Sequence, residues 1–418
     1  MGLSDREGTQ QFADIQALRG VAILLVLVQH VQITAWLLGL SRLSITLPFY
    51  IGVELFFVIS GFVIVHSLIR HDFDVRGFFI KRVFRLTPGV LVAFAIAFIV
   101  RLVFTLQALP PELVSRYEPP LHKFAQEGLS IAGGYFLLTL NHPNYYAGGM
   151  WSLSVEDQFY VATGLALVVL NAVARRRERV TGGLTAIAAF VTVSCLVVRL
   201  VCLVEPHWLG FFPATLRFIA GWRFDCPAVG VLLGIAYEKR RWPFHVDPGR
   251  LRPLDSVWWL LAALVALAMM GPPNVSVDRG GLVHGLGYPL ATLCFLFLVR
   301  NAACGRAFAK RGAWWYRFLT YMGDRSYTYY LLEFPIFALV FLATFTFARA
   351  AATNGAVYVW VELVISVAAL GAVAQAVYAR VERPLTALGR RLAHAGSRER
   401  GSPVLKPADE ALGLRTNT

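Results

Sequence analysis

The sequence predicts an all-α integral membrane protein, a bundle of about ten transmembrane helices with both termini on the cytoplasmic side. Composition is the first observation: 57% of the 418 residues are hydrophobic, only 15% are charged, and the mean hydropathy is +0.59. A soluble domain carries about a quarter charged residues, so this chain needs lipid as its solvent. The other two observations are long apolar runs and the placement of basic residues between them.

Apolar runs long enough to cross a bilayer recur along the whole chain. A membrane-spanning helix needs about 20 mostly apolar residues. Ten runs meet this requirement, at 17–37, 47–69, 86–108, 152–174, 182–204, 217–238, 255–271, 281–300, 324–348 and 355–379. A weaker run at 126–141 is interpreted as a partly buried or re-entrant element. This composition excludes disorder and a secreted disulfide scaffold for most of the chain.

Basic residues predict the orientation of these runs. With the N-terminus inside, 28 of the 39 Lys and Arg residues fall in the predicted inside segments and five in the outside segments. Cytoplasmic loops carry such an excess of positive charge. The formal net charge of +14 is therefore attributed to topology and not to nucleic-acid binding.

Domain boundaries follow from this topology. Residues 1–16 are predicted to be a cytoplasmic N-terminus, 17–386 a membrane domain, and 387–418 a disordered cytoplasmic tail. The five cysteines form no CxxC pair and are predicted to be small core residues, and no metal site is predicted. No internal repeat is visible, which disfavours a transporter.

Ionisable residues inside predicted membrane helices mark the candidate site. Arg19 and His30 are eleven residues apart on the first helix, which is almost three full turns. They therefore share a face and lie about 16 Å apart along the axis. Arg19 is placed near the cytoplasmic surface and His30 about half-way across. A snorkelling charge at Arg19 and a packed, hydrogen-bonded His30 are the structural alternatives.

The second helix carries a carboxylate toward its outer end. Glu54 is predicted to lie at a depth comparable to His30, and Ser60 permits a close approach of another helix. A charge at a helix end is the alternative interpretation of Glu54.

The fourth span begins with Trp151 and has polar residues along one face. Ser152, Glu156 and Tyr160 follow at i, i+4 and i+8 spacing. We expect Glu156, or failing that Glu54, to orient His30, because a carboxylate beside an imidazole supports general-base chemistry.

Two arginines precede the third span. Arg82 and Arg85 are i, i+3 neighbours and share a face. They are either ordinary positive anchors on the cytoplasmic side or a binding site for anionic phosphates.

A last polar stripe lies near the end of the chain. Tyr327, Tyr330 and Glu333 are spaced i, i+3 and i+6, and are predicted to face the interior of the bundle. Aromatic packing is the alternative for this stripe.

Six motifs in this order resemble those of acyltransferase family 3, a family of integral membrane proteins. They are Arg19 with His30, GVELFFVISGF at 52–62, RVFRLTP at 82–88, WSLSVEDQFY at 151–160, SYTYYL at 326–331 and ERP at 382–384. The resemblance implies a ten-helix bundle that moves an acyl group, often acetyl, from cytoplasmic acyl-CoA to a hydroxyl. The acceptor is usually a sugar at or beyond the outer face. The family's essential Arg–His pair falls on Arg19 and His30, whereas many members have His in place of Glu333.

The sequence thus predicts a membrane O-acyltransferase of the cell membrane, inner or plasma. His30 is the candidate general base and Glu156 its orienting carboxylate, while Arg19, Arg82 and Arg85 bind the phosphates of acyl-CoA. Acyl-CoA, most simply acetyl-CoA, is a co-substrate, and no permanently bound cofactor is predicted. The supporting residues are Glu54, Ser60, Trp151, Ser152, Tyr327, Tyr330 and Glu333.

Several alternatives stay open at this point. The acceptor is a carbohydrate, a lipid-linked sugar or a small natural product such as a macrolide. Transfer is either direct or through an acyl-histidine. A transporter or flippase is the alternative of another class, and the oligomeric state is not predicted.

Overall fold

The structure is a computed structural model, and it describes residues 3–37, 48–106, 151–174, 176–204, 223–241, 243, 251–270, 286–351 and 355–398. Every regular element within these ranges is a helix. Each of the ten predicted apolar runs overlaps one of them. The weaker run at 126–141 lies outside the described residues.

The helices are numbered here in chain order. They are α1 (Leu3–Leu37), α2 (Gly52–Arg70), α3 (Val75–Leu106), α4 (Trp151–Val173), α5 (Arg177–Val204), α6 (Asp225–Glu238), α7 (Pro253–Met270), α8 (Tyr288–Ala303), α9 (Trp314–Asp324), α10 (Ser326–Ala351), α11 (Gly355–Val377) and α12 (Arg383–Arg398). A 3-10 turn at Phe49–Ile51 leads into α2, and a π-helical segment at Tyr378–Glu382 joins α11 to α12.

The length and surface of these helices suit a lipid environment. Within the described ranges, six helical stretches are long and apolar enough to cross a membrane, and three shorter apolar helices accompany them. Large apolar side chains face outward, and Phe98, Phe190 and Val364 are each more than 60% exposed. A multi-pass integral membrane protein explains both features. The number of ten spans and their orientation stay predictions.

α2 is the central helix of the described bundle. It is buried over most of its length and packs most extensively against α6. A Cβ atom on Gly61 would lie 2.0 Å from the carbonyl oxygen of Pro227, so this contact requires glycine. Small residues at such contacts let the backbones of two membrane helices approach closely. α2 thereby holds Glu54 and Ser60 inside the bundle.

The third helix begins earlier than predicted. The sequence predicts a loop at 70–85, whereas α3 begins at Val75 and continues through Pro88. Tertiary packing explains the difference, because α12 lies along this end of α3 and covers it. The basic residues of this stretch consequently project from a helix.

The structure also differs from the predicted disordered tail. Residues 387–398 belong to α12, while 399–418 lie outside the described residues. α12 is amphipathic: Gly389 and Ala393 are buried, whereas the residues between them are exposed. At 1.5 Å per residue, α11, the π-helical segment and α12 extend about 65 Å, roughly twice the hydrocarbon core of a bilayer. This continuous helical run is therefore longer than one membrane span requires.

Asp14 anchors the N-terminal part of α1. Its buried carboxylate accepts hydrogen bonds from Arg311 at 2.9 Å, from the Tyr316 hydroxyl at 2.8 Å and from the Ala307 N–H at 3.2 Å. Burial and the hydrogen bond to Asp14 raise the pKa of Tyr316, which keeps the phenol protonated as a donor. The predicted N-terminal segment 1–16 is thus helical from Leu3 and tied to α9.

Candidate active site

α1 carries both residues of the predicted Arg–His pair. Eleven positions of helix place Arg19 and His30 about 16 Å apart along the axis. α9 crosses α1 beside Arg19, and a Cβ atom on Gly20 would lie 2.0 Å from the carbonyl oxygen of Leu319. This crossing therefore requires glycine, and it fixes the position of α1 where the arginine projects.

His30 pairs with a carboxylate that the sequence analysis treated only as a supporting residue. Its Nδ1 atom contacts Oε1 of Glu333 on α10, and the centroid of the Phe334 ring lies 4.6 Å from that of the imidazole. The His30 side chain is 16% exposed and that of Glu333 is 1% exposed. The imidazole is thus accessible while its carboxylate is shielded.

Glu156, which the sequence predicts to orient His30, has other partners in the structure. Glu156 accepts a hydrogen bond from the Ser60 hydroxyl at 2.8 Å and another from the hydroxyl of Tyr160. It also lies within electrostatic reach of Arg19. Helical spacing identifies the face that Glu156 occupies, but the position of α4 in the bundle decides which residue that face meets. Glu156 belongs to the arginine end of the site.

The polar side chains predicted to share a face of α4 form hydrogen bonds with residues of α2 and α10. In addition to Glu156, the Ser152 hydroxyl is hydrogen-bonded to the hydroxyl of Tyr330. The neighbouring Tyr327 donates to the backbone carbonyl of Leu86 at 2.8 Å and so ties α10 to α3. Trp151 begins α4, and its side chain lies outside the described part of the chain.

The three arginines predicted to bind phosphate line one cavity of about 410 Å³. Arg19 comes from α1, and Arg82 and Arg85 come from α3. Six cationic side chains of the described residues line this cavity against three carboxylates: Arg19, Lys81, Arg82, Arg85, Arg383 and Arg390 against Asp74, Asp324 and Glu382. The excess of positive charge makes the cavity suited to a polyanion.

Aromatic rings position one of these arginines. The guanidinium of Arg82 lies 4.7 Å from the centroid of the Tyr160 ring and 5.7 Å from that of Phe78. Such cation–π contacts hold a guanidinium in place and leave its N–H groups available to a ligand. Arg85, one turn further along α3, forms no ion pair within the described residues.

Glu54 lies in a separate buried cluster. It forms an ion pair with Arg223, whose guanidinium also donates to the Tyr288 hydroxyl at 3.0 Å and stacks on that ring at 4.2 Å. Beside them, Arg199 and Asp225 form a second ion pair at 2.9 Å. We call Glu54, Arg199, Arg223, Asp225 and Tyr288 the paired cluster. Glu54 does not contact His30.

The sequence predicts no role for the other members of the paired cluster. Arg199 and Arg223 are among the six basic residues that fall in or at the predicted helices, outside the count of inside and outside segments. An arginine within an apolar run needs a partner, so this position was itself the available signal. Lys81 and Arg390 of the cavity likewise enter the prediction only as cytoplasmic charges, and Arg383 enters it as part of the ERP motif at 382–384.

Four of the five cysteines have described side chains. Cys195, Cys226 and Cys294 are buried free thiols, and Cys304 is partly buried. Cys202 lies where side chains are not described. Within the described ranges, no group of three or more His, Cys, Asp and Glu residues is placed to hold a metal ion.

These features define a class of protein: a multi-pass membrane protein with a cationic cavity at one end of α1 and a His–carboxylate pair further along the same helix. The family model of the acyltransferase domain matches residues 12–375. The chain therefore belongs to acyltransferase family 3, as the six motifs indicate. The matches support an O-acetyltransferase-like enzyme.

Relatives of this chain include proteins assigned as O-acetyltransferases. It is 21% identical over 339 residues to one from Staphylococcus aureus strain COL, covering 78% of this chain and 50% of that protein. It is 23% identical over 343 residues to YrhL of Bacillus subtilis strain 168, assigned as a peptidoglycan O-acetyltransferase, covering 78% and 48%. BcsY of Komagataeibacter xylinus, assigned as a membrane-bound transacylase, is 29% identical over 192 residues, covering 42% of each chain.

The chain spans about half the length of these curated relatives. No solved structure gives a significant match.

Proposed function

We propose that this protein is a membrane O-acyltransferase that moves an acyl group, most simply acetyl, from cytoplasmic acyl-CoA to a hydroxyl of a carbohydrate acceptor in the cell envelope. The observation that carries the proposal is the arrangement along α1. The cationic cavity surrounds Arg19, and the His30–Glu333 pair lies about 16 Å further along the same helix. A donor whose phosphates occupy the cavity directs its pantetheine arm toward His30.

The donor end of the proposal rests on charge. Arg19, Arg82 and Arg85 converge on one cavity, and guanidinium groups are well suited to bind phosphate oxygens. The positive-inside count predicts that this end of the bundle faces the cytoplasm, where acyl-CoA is available.

The chemical step requires a base for the acceptor hydroxyl. With the Nδ1 proton directed at Glu333, the Nε2 atom of His30 has a free lone pair. Nε2 takes the proton as the hydroxyl oxygen attacks the thioester carbonyl. The carbon–sulfur bond then breaks, and the coenzyme A thiolate receives the proton back from the imidazolium. Glu333 orients the ring and stabilises its cation while the proton is held.

The acceptor is proposed from the relatives. YrhL is assigned to peptidoglycan, and the other names specify O-acetyl or acyl transfer. We therefore propose an envelope carbohydrate at the outer face as the acceptor of this chain.

Sealed vesicles with the protein in a known orientation test this function. Acetyl-CoA labelled in its acetyl group is supplied only to the predicted cytoplasmic face, and peptidoglycan fragments are confined to the other face. Labelled acetyl esters on the confined fragments are expected, while His30→Ala vesicles serve as the control. Transfer that requires both substrates on the cytoplasmic face would instead indicate a small cytoplasmic acceptor such as a macrolide. Absence of any thioester consumption would refute the enzyme itself.

A further inference from the structure

The cavity has a second basic wall, contributed by α12. Arg383, Thr386, Arg390 and His394 follow one another at spacings of three, four and four residues and all line the cavity. This spacing places them on one face of α12. The opposing wall consists of Lys81, Arg82 and Arg85 on α3. The matched family domain ends at residue 375, so α12 lies beyond it.

Contacts between the two walls give their register. A Cβ atom on Gly389 would lie 2.5 Å from Cβ of Phe84, and one on Gly77 would lie 3.6 Å from Cβ of Ala393. The residue number rises along α12 as it falls along α3, so the two helices are antiparallel. Arg390 is accordingly level with Lys81, and Thr386 is level with Arg85.

The cavity is therefore built in two tiers. Arg85 and Thr386 lie in the tier nearer to His30, together with Arg19. Lys81 and Arg390 lie about one helical turn, or about 5–6 Å, further toward the predicted cytoplasmic side.

Both tiers hold polar groups that protein contacts do not satisfy. Within the described residues, Arg85 and Arg390 form no ion pair, and the buried Thr386 hydroxyl has no hydrogen-bond partner. The three lining carboxylates are already engaged: Asp74 accepts from the Gly77 N–H at 3.2 Å, Asp324 from Gln16 at 2.6 Å and Glu382 from Thr328. The inner tier thus holds a buried hydroxyl without a partner, and each tier presents an arginine that has no carboxylate of its own, so the cavity is suited to anionic groups at two levels.

We propose that Arg390 of α12 binds the 3′-phosphate of the acyl-CoA donor. Arg19, Arg82 and Arg85 bind the 5′-diphosphate, and the Thr386 hydroxyl donates a further hydrogen bond to it. This inference rests on the proposed function. Coenzyme A carries its phosphates in two groups separated by a ribose. The diphosphate continues into the pantetheine arm, so it belongs in the tier nearer to His30. The 3′-phosphate is at the adenosine end and reaches the tier of Lys81 and Arg390.

Comparison of coenzyme A with 3′-dephospho-coenzyme A tests the inference. Binding is measured by calorimetry on the full chain in phosphatidylcholine nanodiscs at low ionic strength. Wild-type protein is expected to bind coenzyme A about tenfold more tightly, because one charge-assisted phosphate contact is lost with the dephospho ligand. Arg390→Ala should weaken coenzyme A binding by about tenfold and leave the dephospho ligand unchanged.

Three further variants test this result. Arg391→Ala is the matched control, since Arg391 is the next residue of α12, is exposed, and does not line the cavity. It should keep the wild-type preference for coenzyme A. Arg85→Ala should weaken both ligands by a similar factor, and Arg390→Gln provides a second, less disruptive replacement.

The outcomes separate the inference from the proposed function. If Arg390→Ala retains the preference for the 3′-phosphate, the role of α12 is wrong while the donor site of Arg85 stands. The same conclusion follows if Arg390→Ala leaves coenzyme A binding unchanged and weakens only the association of the protein with phosphatidylglycerol in nanodiscs. The arginine would then bind a lipid headgroup. If the wild-type protein binds neither ligand, the donor and the inference are both refuted.

Discussion

Two regions of this protein use arginines in opposite ways. In the paired cluster every arginine has its own carboxylate, Arg223 with Glu54 and Arg199 with Asp225 at 2.9 Å. In the cavity, cationic side chains outnumber carboxylates two to one, and Arg85 and Arg390 form no ion pair with a described residue. Arginines that are paired with carboxylates inside a bundle join neighbouring helices. An excess of positive charge around a cavity instead favours the binding of an anionic ligand.

The comparison gives a rule for assigning intramembrane arginines. Residue type is the same in both regions, so it does not distinguish them. The local balance of charge does, and so does access, since Arg199 is fully buried while Arg19 and Arg85 line an open volume. Each prediction below changes one side of this comparison.

His30 gives the largest expected effect, because its imidazole is accessible while its carboxylate partner is shielded. His30→Ala should reduce acyl transfer by about 10²–10⁴-fold, the usual contribution of a general base. The free energy of unfolding should change much less than it does in a variant of the paired cluster. Acetyl transfer and thermal unfolding of the same purified sample give the measurement. Near-normal turnover by the folded variant would remove His30 from the mechanism.

Breaking the paired cluster should cost stability and not donor binding. Asp225→Ala leaves Arg199 buried without its carboxylate, and the free energy of unfolding should fall by about 3–5 kcal/mol. The Arg199→Met, Asp225→Leu double variant should recover most of that loss, since apolar residues replace both charges. Unfolding in mixed detergent measures both. Equal stability of Asp225→Ala and wild type would show that the cluster is not structural.

Glu333 is predicted to act through His30 and not on the donor. Glu333→Gln keeps the shape of the side chain but removes the charge that stabilises the imidazolium. The turnover number should fall by about 10–100-fold while the Michaelis constant for acetyl-CoA stays unchanged. A parallel rise in that constant would place Glu333 in donor binding and contradict the proposed role.

Arg85 should show the smallest effect, confined to the donor. Arg85→Ala should weaken acyl-CoA binding by about tenfold, and salt should weaken binding to the wild type more steeply than to the variant. Unfolding should change by less than about 1 kcal/mol, because no protein ion pair is lost. Arg85→Lys should restore binding only in part, since an ammonium cannot bind phosphate in a bidentate way. Unchanged donor affinity would make Arg85 a topological anchor.

Several parts of the site were predictable because they depend on one helix only. The shared face of Arg19 and His30 follows from helical period, as does the polar face of α4 with Ser152, Glu156 and Tyr160. The grouping of Arg82 with Arg85 follows in the same way. The structure places Arg82 and Arg85 in one cavity and gives Ser152, Glu156 and Tyr160 polar partners, while the shared face of Arg19 and His30 stays a prediction.

The missed parts depend on contacts between helices. His30 meets Glu333 and not Glu156, since α10 packs beside α1 at that depth. α12 was predicted to be disordered because its composition is polar, yet burial of Gly389 and Ala393 against α3 orders it. Neither contact can be inferred from the spacing of polar and apolar residues along a single helix.

The sequence by itself determined that this chain is a membrane protein and that it belongs to acyltransferase family 3. It also determined which residues share a helix face. Hydropathy, motif order and the 3.6-residue period are properties of short segments, so they survive without knowledge of the fold. Tertiary structure alone decided that Glu333 is the carboxylate of His30, that Glu54 is neutralised by Arg223, and that α12 walls the cavity. These depend on which helices become neighbours, and close backbone approaches such as Gly20 against Leu319 set that choice.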